Sequence, residues 1–124
     1  ILIDADTGID DSIALLSALK SRNLQVEGIP PWFGNSGAAQ SADNCLRLIR
    51  LSRCGYEVPV VVGAECTLDG QVETAPAHIH GENGIGNVIL PESARKPRER
   101  DAADFILRKA EELDGELGIV TTAA

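Results

Sequence analysis

Four aspartates crowd into eight positions in the stretch DADTGIDD, residues 4 to 11. The apolar run Ile1-Leu2-Ile3 precedes it, and a helical pattern follows it. Asp4 and Asp6 lie two apart on a predicted strand, so they are expected to point the same way. Asp10 and Asp11 open the following helix, and Gly8 permits a turn that folds the second pair back toward the first. Aspartates at a helix start also cap free N–H groups and favour the dipole, which accounts for one or two of the four. Four carboxylates at one tip would repel, and some would protonate. A divalent cation removes the conflict. Hard oxygen ligands with no His or Cys beside them point to Ca²⁺ or Mg²⁺ rather than Zn²⁺.

The elements that must hold these groups follow a βα rhythm. Residues 1–5 read as a buried strand, and residues 10–21 as a helix with Ile13, Leu15, Leu16 and Leu19 at helical spacing. A short strand is expected at 24–29. The stretch PPWFGN, 30–35, is a loop, because two prolines forbid helix and break a ladder. A second helix is predicted over 37–54, with Ala38, Ala42, Cys45, Leu46 and Ile49 on its apolar side. Residues 58–63 form a continuous apolar run of the kind buried on both sheet faces. Residues 64–98 are rich in Gly and Pro and read as irregular. A third helix is predicted over 99–113 and a last strand over 116–120. This alternation implies an α/β fold with an open, mainly parallel sheet, right-handed crossovers and helices on both faces. In such sheets the ligand site lies beyond the carboxyl ends of the strands. The aspartate stretch, PPWFGN, the 64–86 loop and the final Thr121-Thr122 all fall on those tips.

Composition sets outer bounds. The 124 residues are 44% hydrophobic, enough for one globular domain spanning 1–124. A net charge of −8 argues against a nucleic-acid or anionic-membrane partner. No apolar run reaches the length of a membrane span. Three cysteines without metal-type spacing suggest free, buried thiols in a reducing cytoplasm. The start at Ile1 and the end directly after a strand lead us to expect the N-terminal portion of a longer domain.

The stretch DADTGIDD resembles the D-x-D-x-G-x-D-D signature of the inosine–uridine-preferring nucleoside hydrolases. EGIPPWFGNSGAAQSADNCLRLIRL is similar to that family's F-G-N segment before a helix. VPVVVGA, AHIHGENGIGNVILP and ADFILRKAEELDGELGIVTT continue the resemblance in order. It implies a Rossmann-like fold and hydrolysis of the N-glycosidic bond of a ribonucleoside, through an oxocarbenium-like ribosyl transition state. It further implies that Asp6 and Asp11 ligate Ca²⁺ together with the backbone carbonyl of Thr122. Asp6 would be the general base, and Asp10 would bind ribose hydroxyls. Asn35 would line the sugar and base, His80 would stand near the leaving base, and Asp4 would support them from behind. His78 is expected to be structural, and Glu82 and Asn83 to shape their loop. Pro30 and Pro31 depart from the family pattern, which has T-T there. The family's members are usually homodimers or homotetramers. Two alternatives remain at this point. One is a haloacid-dehalogenase-like phosphatase, with Asp4 as nucleophile, Asp6 as acid/base and Mg²⁺. The other is an inactive cation-binding fragment or homologue.

Overall fold

The structure, a computed structural model, describes residues 1–72, 75–98 and 101–123. Its elements are β1 (Leu2–Asp4), α1 (Ile9–Lys20), α2 (Ala38–Ser52), α3 (Ala77–His80), α4 (Ala102–Glu112) and β2 (Ile119–Thr121). β1 and β2 pair in parallel, with Leu2 opposite Ile119 and Asp4 opposite Thr121. Two isolated parallel bridges extend the pairing on the other side of β1, Leu2 to Gly28 and Ile29 to Val60. The spatial order is therefore Val60, Ile29, β1, β2.

The strands expected at 24–29 and 58–63 contract to those bridges. Prolines explain part of this. Pro30, Pro31 and Pro59 have no N–H to give to a neighbour. What survives runs through the other donors: Ile29 N donates to Pro59 O at 2.9 Å, and Gly63 N to Pro31 O at 2.7 Å. The last strand lies three residues later than expected at its start, at 119 rather than 116, and is exposed. Part of the stretch expected to be irregular, 77–80, forms the short helix α3. The third predicted helix begins at Ala102; its first two expected residues, 99 and 100, lie outside the described residues.

The apolar residues sort by alternation. Ile3, Ala5 and Val60 pack with Leu15 and Leu19 of α1 and Leu46 and Ile49 of α2. Leu2 and Val61 instead pack against Phe105 of α4. Successive side chains of an extended segment face opposite ways, so one core forms against α1 and α2 and a smaller one against α4. Among the described residues no helix is long and apolar enough to cross a membrane.

Candidate active site

Residues 5–8 join β1 to α1 and run beneath the start of α2. Ala5 and Thr7 are buried, and Thr7 takes a left-handed conformation, φ 41°. The paired ladder of β1 ends at Asp4, and the backbone turns at Thr7. The Asp4 carboxylate lines a cavity of about 400 Å³ together with Trp32, Asp101 and Ile106. Trp32 Nε1 is buried there without a partner among the described residues. Burial pushes the Asp4 carboxyl above its ordinary range.

Asp6 faces the loop that follows the two prolines. Its Oδ2 accepts the Asn35 backbone N–H at 3.0 Å. Gly34 makes this approach possible. Its φ is 153°, and a methyl group at that position would overlap the Asp6 carboxylate. Asp11 is 3% exposed. Its Oδ2 accepts the Gly8 backbone N–H at 2.7 Å and the Asn35 side-chain Nδ2 at a longer 3.4 Å. The first of these is half of a capping box, so Asp11 does cap α1. The Asp6 and Asp11 carboxyls are also close enough to hydrogen-bond each other when one is protonated.

Burial, above all, raises the Asp6 carboxyl above its usual range, and the hydrogen-bonded Asp11 carboxyl and its charge add to this, while the Asn35 N–H opposes it. No cationic side chain pairs with Asp6 or Asp11 among the described residues.

Asp10 is exposed on the first turn of α1. Consecutive helix residues point about 100° apart, so Asp11 turns inward and Asp10 outward. Of the four aspartates, Asp6 and Asp11 share a hydrogen-bond partner, Asn35. Among the described residues no three His, Cys, Asp or Glu side chains gather as a metal-binding group.

His80 ends α3 and reaches across to α1. Its Nδ1 accepts the Ile9 N–H at 3.2 Å. That bond fixes the neutral tautomer with its proton on Nε2. Gly8 sits between the two groups: a side chain there would meet both Asn35 Nδ2 and the His80 ring. The loop after His80 is tied by Asn83. Asn83 Oδ1 accepts from Ile85 N at 3.1 Å and Asn87 N at 2.9 Å. Asn44 of α2 donates to Asn83 O at 2.8 Å. His78 is exposed. Thr122 is held at the other edge of β1, where its N and Oγ1 donate to Asp4 O at 2.9 and 3.2 Å.

Asp6, Asp11 and Asn35 thus touch directly, His80 stands one residue away, and Thr122 is anchored through the Asp4 backbone. Sequence reasoning missed Asn44 and Ser41, polar groups on the buried face of α2, and placed Cys45 there only as a core residue. The available signal was their spacing. They fall on the same helical side as Ala38, Ala42 and Leu48, where a polar residue must find a partner. All three cysteines are free thiols.

The profile of the family described as inosine-uridine preferring nucleoside hydrolase matches residues 1–124. Uridine nucleosidase 1 of Arabidopsis thaliana is 38% identical over 97% of this chain and 35% of its own length. A probable uridine nucleosidase 1 of Oryza sativa is 34% identical over 97% of this chain and 37% of its own. Among solved structures, a purine-preferring ribonucleoside hydrolase from Gardnerella vaginalis superposes with a TM-score of 0.90 at 34% identity, over 98% of this chain and 39% of that one. The chain spans between a third and two-fifths of the length of these proteins. With the profile running its full length, the chain belongs to the inosine-uridine preferring nucleoside hydrolase family.

Proposed function

We propose that the protein hydrolyses the N-glycosidic bond of ribonucleosides, releasing free base and ribose. The observation that carries this reading is the joining of Asp6, Asp11 and Asn35, with His80 pinned beside them through Nδ1. In this reading residues 1–124 form one α/β domain, the first part of an open parallel sheet with helices on both faces. The alternating cores on either side of Leu2–Ile3 and Val60–Val61 support it. Family membership leaves no place for the phosphatase alternative.

Ca²⁺ fits the residues present. Asp6 and Asp11 are half-buried and buried carboxylates that pair with no cationic side chain among the described residues. They offer a pair of hard ligands, with the Thr122 carbonyl as a third, of the six to eight that Ca²⁺ takes. When bound between these residues, Ca²⁺ would supply the positive charge that lowers the pKa of a water and favours oxygen groups of the sugar. Asp6 accepts the proton of the attacking water. Asp10 and Asn35 orient the ribose. His80 donates from Nε2 to the departing base, the tautomer its Nδ1 bond selects. Asp4 positions Thr122 through its backbone. The protein acts in the cytoplasm as a homodimer or homotetramer, with a small-molecule nucleoside as its partner.

The deciding experiment is release of reducing sugar from inosine and uridine, with Ca²⁺ and with EDTA. Ribose release that EDTA abolishes is expected. Ca²⁺ binding without ribose release would establish the cation-binding, non-hydrolysing alternative instead.

A further inference from the structure

Thr7 lies in the middle of the aspartate stretch, and the proposed chemistry makes no use of it. It is completely buried. Its Oγ1 accepts from Ser41 Oγ at 2.7 Å and lies 3.2 Å from Cys45 Sγ, within hydrogen-bond range of the sulfur. Ser41 and Cys45 are themselves fully buried and sit one turn apart on α2. Burial pushes the Cys45 thiol up to about 12, so it remains a thiol and a weak donor. Two partners roughly 6 Å apart along a helix prevent the loop from sliding or pivoting on a single bond. Within residues 4–11, Thr7 is the side chain hydrogen-bonded to α2.

The residues on either side of Thr7 explain why such a grip matters. Asp6 precedes it, and the Gly8 N–H that binds Asp11 follows it. Asp6 and Asp11 repel, and no cationic side chain among the described residues offsets this. A repelling pair keeps its spacing only if the backbone that carries it is restrained from outside. An apolar side chain of the same shape would fill the space but would leave Ser41 without its acceptor.

We propose that Thr7 is a positioning residue: gripped by Ser41 and Cys45 of α2, it restrains the backbone that carries Asp6 and the Gly8 N–H bound to Asp11, the pair read above as cation ligands. The inference rests on the cation-binding reading of that pair, but it has a consequence independent of any metal. In EDTA, Thr7→Val should speed amide exchange at Gly8 and Asn35 by about tenfold, the scale of one lost buried hydrogen bond. The interior α2 amides of Leu48 and Ile49 should stay within about twofold. Thr7→Ser keeps the hydroxyl and should restore both loop amides. In the same samples, the Ca²⁺ dissociation constant should rise about tenfold in Thr7→Val and recover in Thr7→Ser. Ser41→Ala removes one of the two partners and tests the same amides if Thr7→Val does not fold. Exchange at Gly8 and Asn35 unchanged in Thr7→Val, or in Ser41→Ala in its place, overturns the proposal. Faster exchange in a protein whose wild type binds no Ca²⁺ keeps Thr7 as the anchor of the loop and removes the metal reading instead.

Discussion

At the scale of single residues, Asp6 carries the most specific expectations. Asp6→Ala removes both a ligand and the proton acceptor, and should lower kcat by about 10⁴ or more. Asp6→Asn keeps an oxygen in nearly the same place. It should hold Ca²⁺ better than Asp6→Ala while still losing at least about 10² in kcat. Steady-state rates on inosine decide this, and Asp6→Asn within tenfold of wild type would take Asp6 out of the mechanism. His80→Ala should discriminate between substrates. Its loss should be large on inosine, on the order of 10². On p-nitrophenyl riboside, whose leaving group needs no proton, kcat should stay close to wild type. Asp6 also leaves a mark on stability. Its carboxyl is raised above 3.8 in the fold, so the folded state binds that proton more tightly than the unfolded chain does. The resulting stabilisation is complete below the unfolded value and is lost as pH rises through the folded one. Asp6 is partly exposed and solvent-screened, so the effect is modest. In EDTA, thermal melts of Asp6→Asn should lie on the order of 2 °C above wild type at pH 7. The two proteins should converge when the pH falls below the unfolded carboxyl's range. Parallel melting curves across that range would argue against a protonation burden at Asp6. The sequence made Asp6, Asp11, Asn35 and His80 visible as chemistry. Spacing alone could not show that Asp6 and Asp11 are the pair that shares Asn35, or that Asp10 stays exposed.

At the scale of elements, periodicity served the helices well and the strands poorly. α1, α2 and α4 fall within a few residues of expectation, because an amphipathic face repeats over several turns. α3 has four residues, too few to form a period, and its His80 looked like part of a loop. The apolar runs at 24–29 and 58–63 do reach the core, but prolines reduce their ladders to isolated bridges. The start of α4 offers a direct test of local encoding. Asp101 accepts from Ala103 N at 2.9 Å and from Asp104 N at 3.1 Å, satisfying two of the helix's free donors. Asp101→Ala should cost about 1 kcal/mol in a urea titration, with the m-value unchanged. A shift below about 0.3 kcal/mol would mean that water serves those donors equally well.

At the scale of the whole molecule, the chain matches uridine nucleosidases and a purine-preferring hydrolase almost equally well. The Asp6–Asp11–Asn35 cluster thus stands in a chain that matches both kinds of enzyme alike. Base preference is therefore expected to depend on groups other than the Asp6–Asp11–Asn35 cluster, which is why the sequence does not declare it. Metal binding at this cluster should be visible globally. Ca²⁺ at a hundredfold excess over its dissociation constant should stabilise the folded protein by about 2.7 kcal/mol, read by thermal melts with and without EDTA. Melts unchanged by Ca²⁺ would remove it as a ligand of the folded state. The Ile9–His80 hydrogen bond adds one more consequence at this scale. Gly8, which caps α1, has no side chain to serve the helix's first N–H, and a histidine 71 positions along the chain serves it instead. The Ile9 amide is thereby a built-in gauge. Its NMR shift and exchange rate report, in a single resonance, whether the α3 loop has docked on the start of α1.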